Sequence, residues 1–168
     1  MIRRLTPQDT DAYIQLRREA LIAEPFAFAS SPEDDQLQSA DVLEELLTGE
    51  EEAIFGCFVP QLVGVAGIYR QPGPKSRHKG QLWGVYVTPA HRGRGVGSAL
   101  VDAAVSFARS LDGVRLVQLC VSERAAAARE LYRQHGFVSW GTEPAGLRVG
   151  DEYVAEHHMY LMLDPIQG

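Results

Sequence analysis

The sequence predicts an α/β (α+β) domain built on one mixed, mostly antiparallel sheet, and three observations carry that prediction. Apolar runs of strand length alternate with stretches whose apolar residues recur at helical spacing. An apolar run at residues 82–87 enters a glycine-rich turn, then a helix at 95–110, then another strand at 115–121. That order implies a right-handed crossover between parallel neighbours. Residues 54–59 and 62–69, joined at Pro60-Gln61, read instead as a hairpin, whose strands are antiparallel.

Each element has its own signal. Residues 2–5 form a short first strand, ended by Thr6-Pro7, where threonine can cap a helix and proline suits its first turn. Tyr13, Leu16 and Ala20, with Ile14 and Leu21 on the adjoining stripe, make residues 7–23 an amphipathic helix closed by Pro25. Residues 24–38, with Phe26, Phe28, Ser30 and Ser31, have no period and read as a loop that covers a site. Ser39 caps a helix through Leu47, with Val42, Leu43, Leu46 and Leu47 inward and Gly49 as its stop. Gly64 and Gly67 inside a strand point to a bulge or a close backbone approach. Residues 71–80, bearing most of the basic cluster Arg70, Lys75, Arg77, His78 and Lys79, read as a solvated hairpin loop, with a place beside an anionic ligand as the alternative. In the helix at 95–110, Val96, Leu100, Ala103, Ala104 and Phe107 form a stripe that faces a sheet, and Asp112-Gly113 ends it. A helix at 124–134 stops at His135-Gly136. Strands at 138–141 and 153–163 complete the chain, separated by a polar, glycine-rich excursion.

The chain has 168 residues, 45% of them hydrophobic, enough for one compact domain over 1–168 with a sizeable core. Its formal charge of −6 argues against a nucleic-acid binder, which would carry a basic face, and favours a cationic small molecule through electrostatic steering. No apolar run is long enough to span a bilayer and the first residues have no signal-like core, so the expectation is a soluble, cytoplasmic protein with no membrane partner. Cys57 and Cys120 both lie in strand-like runs and read as small buried hydrophobes. His157-His158 makes a poor metal site, since adjacent strand residues face opposite sides and no further ligand cluster accompanies them; no metal is expected.

Residues 87–100, V-T-P-A-H-R-G-R-G-V-G-S-A-L, carry the chemistry. The first amides of a helix lack intrahelical acceptors and sit at the positive end of its dipole. Gly93, Gly95 and Gly97 let the main chain press those amides against a pyrophosphate, with Arg92 and Arg94 beside it as fixed charge. A Walker A loop would need a lysine after the last glycine, and Gly97 is followed by Ser98 and Ala99. A dinucleotide fingerprint would place its third glycine one residue later than Gly97.

What does match is R-x-x-G-x-G at Arg92, Gly95 and Gly97, preceded by Val87 and Pro89, with A-x-x-L-Y-x-x-x-G-F downstream at Ala128, Leu131, Tyr132, Gly136 and Phe137. The pair of motifs covers about a third of the chain and resembles the GCN5-related N-acetyltransferase (GNAT) superfamily. The resemblance implies a GNAT-like mixed, twisted sheet with helices on both faces and a splayed parallel pair, residues 82–87 and 115–121, that admits the pantetheine arm of acetyl-CoA as co-substrate. It implies that residues 93–98, including Val96 and Ser98, hold the pyrophosphate, and that Val85, Tyr86 and Val87 pair with the pantetheine amides. It implies further that the Val87 N–H polarises the thioester carbonyl and that Tyr132 protonates the departing thiolate.

Two departures from the family pattern stand out. Residues 81–87, Q-L-W-G-V-Y-V, lack the strand glutamate that serves as base in several GNAT enzymes, which leaves Glu24, Glu143, Asp151, Glu152, Glu156, His157 and His158 as candidates. The asparagine common three residues before the first alanine of the second motif is Ala125 here, with Ser122 or Arg129 as substitutes toward the cofactor. The resemblance thus leads to acetyl transfer onto a primary amine of a small molecule or peptide, by direct attack in a ternary complex, and by analogy to a homodimer. A non-catalytic acyl-CoA sensor is the alternative; a phosphotransferase lacks its Walker lysine.

Overall fold

The computed structural model describes residues 1–166. Seven strands, β1 (Ile2–Arg4), β2 (Glu52–Val59), β3 (Gln61–Arg70), β4 (Lys79–Val87), β5 (Leu116–Ser122), β6 (Val138–Val149) and β7 (Glu152–Met162), form one sheet in the order β1-β2-β3-β4-β5-β7-β6. The β4–β5 pair is parallel and the other neighbours are antiparallel, as the crossover and hairpin signals require. The helices are α1 (Thr10–Ala23), α2 (Ala40–Thr48), α3 (Val96–Ser110) and α4 (Ala126–Gln134).

Two apolar cores follow from the alternation of strand side chains. On one face α3 and α4 cover the sheet through Leu100, Val101, Ala104, Val117, Leu119 and Phe137. On the other, α1 and α2 bury Tyr13, Leu16, Leu43 and Leu47 against Ile54 and Val65. Each such side chain contributes about 1.5–3 kcal/mol by leaving water. The second core takes no residue from β5, β6 or β7, so this half of the sheet is bare of helix on that face.

Several boundaries differ from the sequence reading. The first turn of the helix expected at 7–23 is a separate 3-10 turn, Pro7–Asp9, where Thr6 and Asp9 close a capping box. Gly49 ends α2 with φ −61 and an N–H bonded to Leu46 O, so the stop is not left-handed. The excursion expected after residue 141 is mostly strand: β6 runs twelve residues and turns at Gly150 into β7. Two register shifts, between Ser139 and Gly141 and between Glu143 and Leu147, break its alternation, and its nearly complete exposure at the sheet edge lets polar residues occupy both faces. Gly67 is a close approach: a Cβ there would sit 2.2 Å from the Trp83 ring.

Candidate active site

The site begins as a gap in the sheet. Parallel pairing of β4 and β5 covers only Lys79↔Leu116, Gly80↔Val117 and Gln81↔Gln118, the last reinforced by Gln118 Nε2 donating to Gln81 Oε1 at 3.0 Å. Beyond it β4 continues to Val87 and β5 to Ser122 without pairing to each other. The register of β3 against β4 shifts between Val65 and Gly67, opposite Gly84, whose φ of +61 is left-handed backbone open to glycine at little cost. The shift bends β4 away from β5. Thr88 N–H bonds to Val63 O at 2.9 Å, so in the alternating antiparallel ladder Val87, opposite Gly64, is a non-bonded pair. Its N–H and C=O, and those of Val85, therefore point away from β3, toward the gap.

A cleft of about 630 Å³ opens along the unpaired end of β4, Val85–Val87, and runs between the starts of α3 and α4. Gly95, with φ +79, is the N-cap of α3, and the first intrahelical bond is Ala99 N–H to Gly95 O at 3.0 Å. The amides of Val96, Gly97 and Ser98 precede that bond, and no side chain caps them. A Cβ on Gly93 or Gly95 would meet nothing within 4 Å, so the loop is open to a ligand. Arg92 donates from Nε to Val87 O at 2.9 Å and from Nη2 to Glu24 at 3.0 Å, beneath the mouth of the cleft. Next to it Tyr86 donates to Glu19 at 2.9 Å, and burial together with that carboxylate pushes its phenol up to about 12.

Of the segment 24–38, Glu24, Ala27 and Phe28 line the cleft, and its end, Gln36–Gln38, is a 3-10 turn. Its anchor is a buried ion pair: Arg17 on α1 grips Asp35 with two hydrogen bonds, at 3.1 and 3.0 Å, and its guanidinium stands 5.2 Å from the Phe28 ring centre.

The residues expected at the cofactor converge in part. Val85, Tyr86, Val87, Arg92, Gly93, Gly95, Val96, Gly97 and Ser98 all line the cleft. Arg94 is exposed beside it, and Arg129 turns away to His157 Nε2 at 2.7 Å. Tyr132 is buried in the α3/α4 core, edge-on to Phe137 at 5.9 Å between ring centres; burial pushes its phenol well above its ordinary value. Ser122 accepts the Arg124 N–H at 3.3 Å and so serves its own turn. Sequence reasoning missed Arg124, Gln134 and the run of alanines at 125–128, whose small side chains leave the wall of the cleft open; the run itself was the available signal.

The base candidates divide. Glu24 is held by Arg92, Glu152 by Arg124, and His157 by Arg129 and Thr142, while Asp151 is near Arg148 at 3.4 Å. His158 bonds Glu143 at 2.9 Å. Burial first, and Glu143 second, push the Glu156 carboxyl up. Cys57 is buried as expected but Cys120 is exposed, because Val117, Leu119 and Val121 take the core face of β5 and leave position 120 on the other. The basic cluster lies at the far end of β4 from the cleft, where Arg70 and Arg77 both pair with Glu51.

The family model described as the Acetyltransferase (GNAT) family matches residues 14–137, about three quarters of the chain. The chain belongs to that family. This GNAT chain is 31% identical over 142 residues to a mycothiol acetyltransferase of Salinispora tropica, a match covering 79% of it and 42% of the relative, so it spans less than half of that protein. Among solved structures it resembles yncA from Salmonella typhimurium with its cofactor acetyl-CoA, at TM-score 0.86 and 20% identity, over 100% and 96% of the two chains. A ribosomal-protein-alanine N-acetyltransferase from Brucella melitensis gives TM-score 0.84 at 23% identity, over 97% and 99%. The GNAT fold thus accounts for the splayed pair, and no helix among the described residues is long and apolar enough to cross a membrane.

Proposed function

We propose that this GNAT chain transfers an acetyl group from acetyl-CoA to a primary amine, carried by a small molecule or a peptide, by direct attack in a ternary complex. The observation that carries this reading is the row of uncapped amides at the start of α3, opening onto a cleft that leads into the β4–β5 gap. Val96, Gly97 and Ser98 would donate to the diphosphate, with Arg92 adding charge and Arg94 at the rim. Val85 and Val87 would pair with the pantetheine amides as an added strand would. The Val87 N–H then faces the thioester oxygen, where negative charge grows during attack. Tyr132 would protonate the leaving sulfur; its raised pKa keeps the phenol protonated at neutral pH, as a proton donor must be.

Direct attack fits the lining. Ser98 Oγ lies 3.2 Å from His135 Nε2, yet Asp102 reaches the same nitrogen at 3.2 Å and Nδ1 faces Leu131 O. Leu131 O can orient the ring through Nδ1, but a carboxylate only accepts, so with Asp102 on it Nε2 carries a hydrogen and cannot take the Ser98 proton. The test is a thermal-shift comparison of acetyl-CoA with ATP, followed by thiol release over a panel of amines. Stabilisation by acetyl-CoA and release with at least one amine are expected. Binding without release on any amine would make the chain an acyl-CoA sensor, and stabilisation by ATP alone would overturn both.

A further inference from the structure

An alkyl amine is an ammonium ion at neutral pH and cannot attack until a base removes a proton. The chain has no carboxylate on β4 near the gap; Glu24 sits with Arg92 at the mouth of the cleft, where the diphosphate would lie, and Glu152, His157 and Asp151 are held by Arg124, Arg129 and Arg148. Glu156, opposite Ser122, makes no ion pair among the described residues, and next to it on β7 one linked group stands beside the gap. Cys120 stands two residues past the last β4–β5 pair, on the same face of β5 as Gln118 and opposite the α3/α4 core. Directly across on β7 is His158, with its Nδ1 3.2 Å from the Cys120 sulfur; its Nε2 is 2.9 Å from Glu143 Oε2 on β6. The Trp140 ring flanks the imidazole at 5.3 Å between centres.

The protonation pattern follows from the partners. Glu143 accepts only, so Nε2 carries the hydrogen, and Nδ1 presents its lone pair to the thiol. Burial, Glu156 and Glu143 push the Cys120 thiol up, so sulfur keeps its proton and the imidazole is the basic group. A thiol is a weak donor and yields its place to an ammonium.

We propose that His158, oriented by Glu143, is the base that takes the acceptor's proton, an assignment that rests on the acetyl-transfer reading above. The ammonium gives a proton to Nδ1, and the freed lone pair forms the C–N bond as the C–S bond breaks. Of the two protons the nitrogen loses, one passes through His158 to solvent and the other ends on the coenzyme sulfur. Glu143 is a positioning residue: it fixes the ring and stabilises the imidazolium. The other titratable groups on this face are Glu156 and Tyr160 of β7 and Cys120 of β5, with Tyr69 of β3, whose phenol is raised by burial first and by Cys120 second.

Two probe amines separate the base from everything else. At about pH 7.5, n-propylamine is protonated while methoxyamine is a neutral nucleophile that needs no base. With acetyl-CoA saturating, His158→Asn should lower kcat/KM for n-propylamine by ~10²-fold and leave the methoxyamine rate at the wild-type value, which also shows that the variant is folded. Glu143→Gln should reduce the n-propylamine rate and leave the methoxyamine rate at the wild-type value, because only the base depends on how the ring is oriented. Equal loss with both amines, or an unchanged n-propylamine rate in His158→Asn, overturns the assignment. A wild-type protein that binds acetyl-CoA but releases no thiol with these or any other amine of the panel overturns the transfer reading, and the base with it.

Discussion

At the scale of single residues, Arg92 and Tyr132 show how differently two motif positions are used. Arg92 is half-exposed and already bonded, to the Val87 carbonyl and to Glu24, so its guanidinium is held at the mouth of the cleft instead of sweeping through solvent. Such an exposed pair contributes at most about 1 kcal/mol to stability and yields readily to a diphosphate. Tyr132 is the opposite case, with a ring fixed in the core and a hydroxyl that has no hydrogen-bond partner among the described residues. Removing only that oxygen keeps the packing, so Tyr132→Phe should fold normally and bind acetyl-CoA with wild-type affinity by calorimetry. Its turnover should fall by ~10²-fold or more, as for loss of a general acid. An unchanged turnover number would leave Tyr132 a core residue and nothing else.

At the scale of elements, the entry into α1 is fixed by one carboxylate. Asp9 takes two hydrogen bonds from Arg3 at 2.7 Å each and one from the Thr6 N–H at 2.9 Å. These hold its carboxyl at about 2, the Arg3 hydrogen bond being the largest cause. Since the unfolded value is about 3.9, Asp9 adds stability that is complete above roughly pH 5 and is lost as pH falls toward 2. Asp9→Asn should therefore cost on the order of 1–2 kcal/mol in urea unfolding at neutral pH. The difference from wild type should vanish near pH 2; a gap that persists there would assign the loss to packing. The same local logic explains what the sequence disclosed. The turn at residues 92–98 was legible because glycines and a helix start dictate their own backbone, whatever packs around them. β6 was not, since register shifts and an exposed edge erase the period-two signal that marks a strand. The partner of Asp35 is eighteen residues away on α1, and the face taken by Cys120 depends on which strands flank β5. Neither is written in local sequence.

At the scale of the whole molecule, the gap is a product of the sheet as a unit. β4 is held on one side by β3, with a bulge at Gly84, while β5 is held on its other side by β7 through seven register pairs from Leu116 to Ser122. The two strands are anchored to different partners, and their ends beyond Gln81 and Gln118 are unpaired with each other. α3 and α4 pack on one face, and Ala27 and Phe28 of the segment 24–38 join the wall of the cleft that opens from the free helix amides along Val85–Val87. His158 lies on the other face of the sheet, which no helix covers at β5–β7. In the proposed reaction those amides hold the diphosphate of the acetyl carrier. The most direct measurement is a nitrogen-15 amide spectrum of the protein titrated with acetyl-CoA. The account predicts that the Val96, Gly97 and Ser98 resonances move and become protected from solvent exchange together with Val87. Saturable binding that leaves these four amides unshifted would contradict it.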